Sequence, residues 1–148
     1  MEKRLVIILS FGLITAIYLG VSVAGYYYMR YQHAIRQLEE YKEVTRLVNI
    51  CIDYGNGTIK WYNDTLIPLG YDLLKTTELI AVVNSTYWEA YQSYSVDAIN
   101  GVWNNQSNYW MWLRWNNEIK EWEYVWLGAD QYMLSEGETV MWRYERTS

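Results

Sequence analysis

The chain has 148 residues, enough for one domain and a short additional segment, and its formal net charge of −5 is unevenly spread. Residues 1–48 hold six Lys/Arg and four Asp/Glu, whereas residues 49–148 hold six and thirteen. The acidic remainder excludes a nucleic-acid surface, which needs clustered cations, and fits a solvated head.

No charged residue occurs from Leu5 to Met29. As a helix this stretch is about 37 Å long, more than the roughly 30 Å of a bilayer core. Lys3 and Arg4 precede it, and Tyr26, Tyr27, Tyr28 and Tyr31 follow it as an interfacial aromatic belt. Residues 1–29 are therefore expected to form a transmembrane anchor in contact with membrane lipid. Ser22 and Ala24 are spaced as a signal-peptide cleavage site would be, but the apolar run is longer than a usual signal core.

From residue 30 the pattern becomes periodic. Tyr31, Ile35, Leu38, Tyr41, Thr45 and Val48 recur at three- and four-residue steps, with Arg36, Glu39, Glu40, Lys42, Glu43 and Arg46 opposite them. This predicts an amphipathic helical stalk over 30–47, continuous with the anchor because no Gly or Pro interrupts Tyr26–Val48. With fewer than three heptads, the stripe is expected to pack on the head, on another copy or on another subunit. His33, the only histidine, lies here without a second ligand and is expected on the surface.

Residues 48–148 are expected to form the head. Leu47–Asp53 and Thr58–Tyr62 alternate like strands around the turn Tyr54-Gly55-Asn56-Gly57. Asn63–Pro68 reads as a loop and Gly70–Ala81 as the head's one helix, with Leu69, Leu73, Leu74 and Ile80 inward. A strand starts at Val82–Val83. Tyr94–Asn100 and Val102–Trp103 flank Asn100-Gly101, a dipeptide suited to a two-residue turn with positive φ. Tyr109–Trp115, Trp122–Trp126 and Thr139–Glu145 complete the set. About six strands around one helix make an α+β class.

All nine Trp and ten of the sixteen Tyr lie in the last hundred residues, more than one small core holds. In a strand Trp110 and Trp112 share one face, Met111, Leu113 and Trp115 the other, and Trp122, Tyr124 and Trp126 align together. Trp103, Tyr109, Trp110, Trp112, Trp122, Tyr124 and Trp126 are the candidate ligand- or partner-binding residues. Substituting Trp110 or Trp112 by Ala is expected to weaken association and leave the fold intact.

Four Asn-x-Ser/Thr sequons, at Asn56, Asn63, Asn84 and Asn105, point to glycosylated loops, an extracellular head and a cytoplasmic N-terminus. Cys51 is alone and expected to be a small core hydrophobe. No nucleophile-and-base set, zinc spacing or phosphate-binding fingerprint is present, so an enzyme, a metal and a cofactor are not expected. Glu118, Glu121 and Glu123 read as a solvated hairpin tip rather than a calcium or acid/base site.

Several segments together resemble a known family: Asp97-Ala98-Ile99-Asn100-Gly101-Val102, Tyr109-Trp110-Met111-Trp112, Gly128 with Tyr132, and Glu136-Gly137-Glu138-Thr139-Val140. They are similar to the C-terminal β domain of transcobalamin and intrinsic factor, and to a related domain family of prokaryotic, especially archaeal, surface proteins. Pro68–Leu74 resembles the start of that family's helix. The likeness covers roughly residues 48–146 and implies a β-grasp-like, ligand-binding head. The expected function is a membrane-anchored binding module, an accessory subunit contacting a protein or itself through the stalk and aromatic face. A pilin-like filament subunit is an alternative, although Lys3-Arg4-Leu5 lacks the small residue usual at such a processing site. A corrinoid or carbohydrate as small ligand is another; for carbohydrate the sequence specifies no polar partners around a ring.

Overall fold

The computed structural model describes residues 2–147. The chain divides between Glu43 and Val44 into two compact units. The first is formed by helix α1 (Glu2–Val44), which runs unbroken through the expected anchor and into the expected stalk as far as Val44. Its segment Ile7–Val44 is long and apolar enough to cross a membrane, and a signal sequence has the same properties. The polar side chains Thr15 and Ser22 are satisfied within the helix: Thr15 Oγ1 donates to Phe11 O at 3.0 Å and Ser22 Oγ to Tyr18 O at 2.8 Å. A helix in lipid needs this, because hydrocarbon offers no partner.

The helix ends earlier than its stripe implies. Thr45 and Val48 belong to strand β1, Thr45–Asp53, and Val48 is fully buried in the head. The β-branched pair Val44-Thr45 favours extended backbone. The Val44 carbonyl is taken by the Leu69 N–H at 2.7 Å. Of the remaining stripe, Tyr31, Leu38 and Tyr41 are exposed and Ile35 is half-buried.

In the head, β1 is followed by β2 (Ile59–Pro68), α2 (Leu73–Ile80), β3 (Val83–Trp88), β4 (Ser93–Ile99), β5 (Val102–Trp103), β6 (Asn108–Asn116), β7 (Glu121–Tyr124) and β8 (Thr139–Arg146). Among the described residues eight strands are thus formed rather than about six. They build a five-stranded sheet in the order β2-β1-β8-β6-β7 and a three-stranded sheet, β3-β4-β5. Central β1 and β8 run parallel, flanked by antiparallel neighbours, with one helix inserted: a β-grasp-like arrangement of α+β class.

The expected loop Asn63–Pro68 is strand. A register shift between Val48 and Ile50 absorbs the extra residue, and Asp64 takes φ +50° there. The Asn49 side chain holds the bulge by accepting from the Asp64 N–H at 3.0 Å. The Asn100-Gly101 turn forms with φ +50° and +79°, as its sequence requires. Helix α2 starts at Asp72, whose carboxylate accepts from the Lys75 N–H at 2.7 Å. Its Leu73 and Leu74 face the core, while Leu69, expected inward, is exposed.

One sheet face carries the main core: Val48, Ile50 and Ile52 of β1, Trp110 and Trp112 of β6, Val140 and Trp142 of β8. The other face has its own small core. Cys51, Met141 and Leu113 are cross-strand neighbours and all buried. Their cover is aromatic: Trp61 of one edge strand meets Trp122 of the opposite edge at 6.5 Å, and Trp122 meets Trp115 at 5.3 Å. Burial first, then the Asp53 charge, pushes the Cys51 thiol up to about 11. It is protonated and unreactive at neutral pH.

Candidate functional site

Alternation assigns residues to shared faces, and burial shows which face is core. Trp110 and Trp112 are 5% and 6% exposed, and their indole N–H groups are consumed internally, by Val102 O at 2.8 Å and Leu127 O at 2.9 Å. The expectation that Ala at either position leaves the fold intact is therefore corrected. These two are core residues that line the floor of a cleft. Tyr109, Trp122 and Tyr124 lie on the opposite face of the sheet. Trp126 follows β7, stacks on Tyr124 at 6.3 Å and also reaches the cleft. Trp103 stands apart, exposed on β5.

The cleft has a volume of about 390 Å³ and opens to solvent. One wall is the tip of the β3–β4 hairpin, with Trp88, Tyr91 and Tyr94; the other is segment 125–131. Three contacts fix the second wall. Ser93 Oγ donates to Asp130 Oδ1 at 2.5 Å, Gln131 Nε2 to Gln92 O at 3.0 Å, and Trp112 Nε1 to Leu127 O. Gly128 lets the walls meet: a Cβ there would lie 1.9 Å from Ser93 Oγ. The cleft is preformed, so an occupant does not have to order it.

None of the sixteen lining residues is Asp, Glu, Lys or Arg, and seven are Trp or Tyr. Trp126 is 85% exposed and Tyr91 77%, unusual for such large rings in a chain whose core is already filled by other aromatics. Of the predicted site residues, only Trp110, Trp112 and Trp126 come together here. Trp88, Tyr91 and Tyr94 were not singled out from the sequence, because an isolated aromatic beside a turn carries no periodic signal.

Some charged side chains pair with one another elsewhere. Arg114 bonds Glu123 at 3.2 Å, and Arg143 lies 3.6 Å from Asp53. Tyr132 Oη donates to Glu138, and its phenol is pushed up, first by burial and then by that bond. Glu121 and Glu123 sit within β7 rather than at the hairpin tip. Among the described residues no three His, Cys, Asp or Glu side chains converge as metal ligands.

No family model matches the chain, and no curated protein does. Solved structures share its fold, among them two of different kinds. One is haptocorrin in complex with Cbi, with a TM-score of 0.55 and 17% identity over 70% of this chain. The chain spans only 26% of that haptocorrin. The other is a suspected metal binding protein from Ruminococcus gnavus ATCC 29149, with a TM-score of 0.56 and 14% identity. It is covered over 99% of its length and matches 70% of this chain. At these identities the likeness defines the class of fold, a transcobalamin-like β domain, and nothing finer.

Proposed function

We propose that this chain is a membrane-anchored, extracytoplasmic binding module, without catalysis, related to the transcobalamin-type β domain. The observation that carries the reading is Trp126, held exposed at the mouth of a preformed, uncharged aromatic cleft. Exposed rings around a concave site are how proteins prepare a contact rather than a core. Helix α1 is the anchor, with internally bonded hydroxyls and a tyrosine belt at its end. All four sequon asparagines are exposed, which supports an outside head. Asn63 and Asn84 lie on strands rather than loops. No nucleophile-and-base pair stands at the cleft.

A small-molecule reading, including a corrinoid, has one observation in its favour: the fold is shared with haptocorrin in complex with Cbi. Photo-crosslinking separates contact from no contact. A photoreactive residue at position 126 in native membranes is expected to give a discrete adduct. The same residue at Ile119, exposed between β6 and β7, is expected to give none. Equal adduct patterns at the two positions would count against the cleft.

A further inference from the structure

The geometry points to a neutral saccharide as the occupant of the cleft, an assignment that rests on the binding-module reading and narrows it. The floor and the rim offer different chemistry. On the floor, the indole N–H groups of Trp110, Trp112 and Trp142 are all spent inside the protein, on Val102 O, Leu127 O and Thr77 Oγ1. The floor therefore presents ring surface and no free donor.

The rim is the reverse. Among the described residues the indole N–H groups of Trp88 and Trp126, the hydroxyls of Tyr91 and Tyr94, and the Gln131 side-chain carbonyl have no partner within the chain. These groups include both donors and acceptors, all neutral, set around apolar ring surface. A pyranose ring has the matching distribution: C–H groups on its faces and hydroxyls around its edge. The hydroxyls supply what the rim lacks, and the C–H faces stack on indole and phenol rings.

Charge decides against the competitors. An anionic ligand would lose its hydration in a cleft without one lysine or arginine to replace it, and a cation would find no carboxylate among the lining residues. Of the three acids next in sequence to lining residues, Asp130 accepts from Ser93 and Asp97 from Thr86, and Glu89 is exposed at the hairpin turn outside the lining. A purely apolar ligand would leave the rim hydroxyls and indole N–H groups desolvated and unmatched.

The test uses the full chain in phosphatidylcholine nanodiscs and saturation-transfer NMR. The probes are cellohexaose, mannohexaose, chitohexaose, hexagalacturonate and dicyanocobinamide. At least one neutral hexasaccharide is expected to receive saturation at its ring C–H protons, hexagalacturonate none. Trp126→Ala is expected to weaken that binding at least tenfold with an unchanged melting temperature, and Trp126→Phe to retain most of it. Silence from all the neutral saccharides overturns the assignment. If dicyanocobinamide then binds in a Trp126-dependent way, the binding module stands and only its ligand class is wrong. If no probe binds and the position-126 crosslink is also absent, both readings fall. Saccharide binding unaffected by Trp126→Ala equally overturns the cleft as the site.

Discussion

Trp142→Ala is expected to destabilise the head by about 3–5 kcal/mol, the usual cost of removing a large core aromatic. Trp142 is 2% exposed and lies on β8, between Ile52 of β1 and Trp112 of β6. Its indole N–H donates to Thr77 Oγ1 of α2 at 2.8 Å, a buried bond that ties helix to sheet. Alanine removes the ring and this bond together, leaving a cavity under α2. Against a total stability of roughly 5–15 kcal/mol for a domain, that loss is large. Trp142→Phe keeps most of the volume and is expected to recover more than half of it. Denaturant unfolding followed by near-UV circular dichroism reads both. Trp126→Ala, at a surface ring, is expected to stay within about 0.5 kcal/mol. A loss below about 1 kcal/mol for Trp142→Ala would mean that α2 does not pack as described.

Gly55→Ala is expected to cost about 2–4 kcal/mol, by two additive routes. Gly55 has φ +67°, a region that L-residues with a Cβ resist. A Cβ there would also stand 2.2 Å from the Tyr144 carbonyl oxygen, a backbone atom that cannot turn aside. Strand β8 would have to move. Tyr144 has its ring 5.2 Å from Trp110 and its hydroxyl on Trp103 O at 2.7 Å, so the displacement reaches the core. Gly57 is the internal control. It has φ +88° but open space around its missing Cβ, so Gly57→Ala is expected to cost about 1 kcal/mol. The difference between the two unfolding midpoints isolates the clash; equal values would refute it.

Strong local signals were legible in the sequence. The unbroken passage from anchor into stalk follows from the absence of Gly and Pro after Gly25, and the Asn100-Gly101 hairpin from a turn that few other dipeptides form. Alternation correctly grouped Trp110 with Trp112, but a period of two is symmetric between faces, so it could not say which face becomes core. That depended on where α2 lands. The strand character of Asn63–Pro68 was hidden because Asn and Asp favour turns; pairing with β1 carries the segment into the sheet, with the bulge at Asn63-Asp64 of β2 itself. The closure of Trp61 onto Trp122 joins the two edges of a five-stranded sheet, a consequence of curvature that no local window contains. The cleft was least visible of all. Its walls come from residues 88–95 and 125–131, brought together by the Ser93–Asp130 and Gln92–Gln131 bonds.

Thiol labelling in intact cells tests an anchored, outward-facing cleft most directly. Cys51 is the only cysteine and is fully buried, so the native chain supplies a silent background. A membrane-impermeant maleimide is expected to leave the native chain unmodified and to label Trp126→Cys on intact cells at once. Labelling of Trp126→Cys only after the cells are lysed would contradict the account.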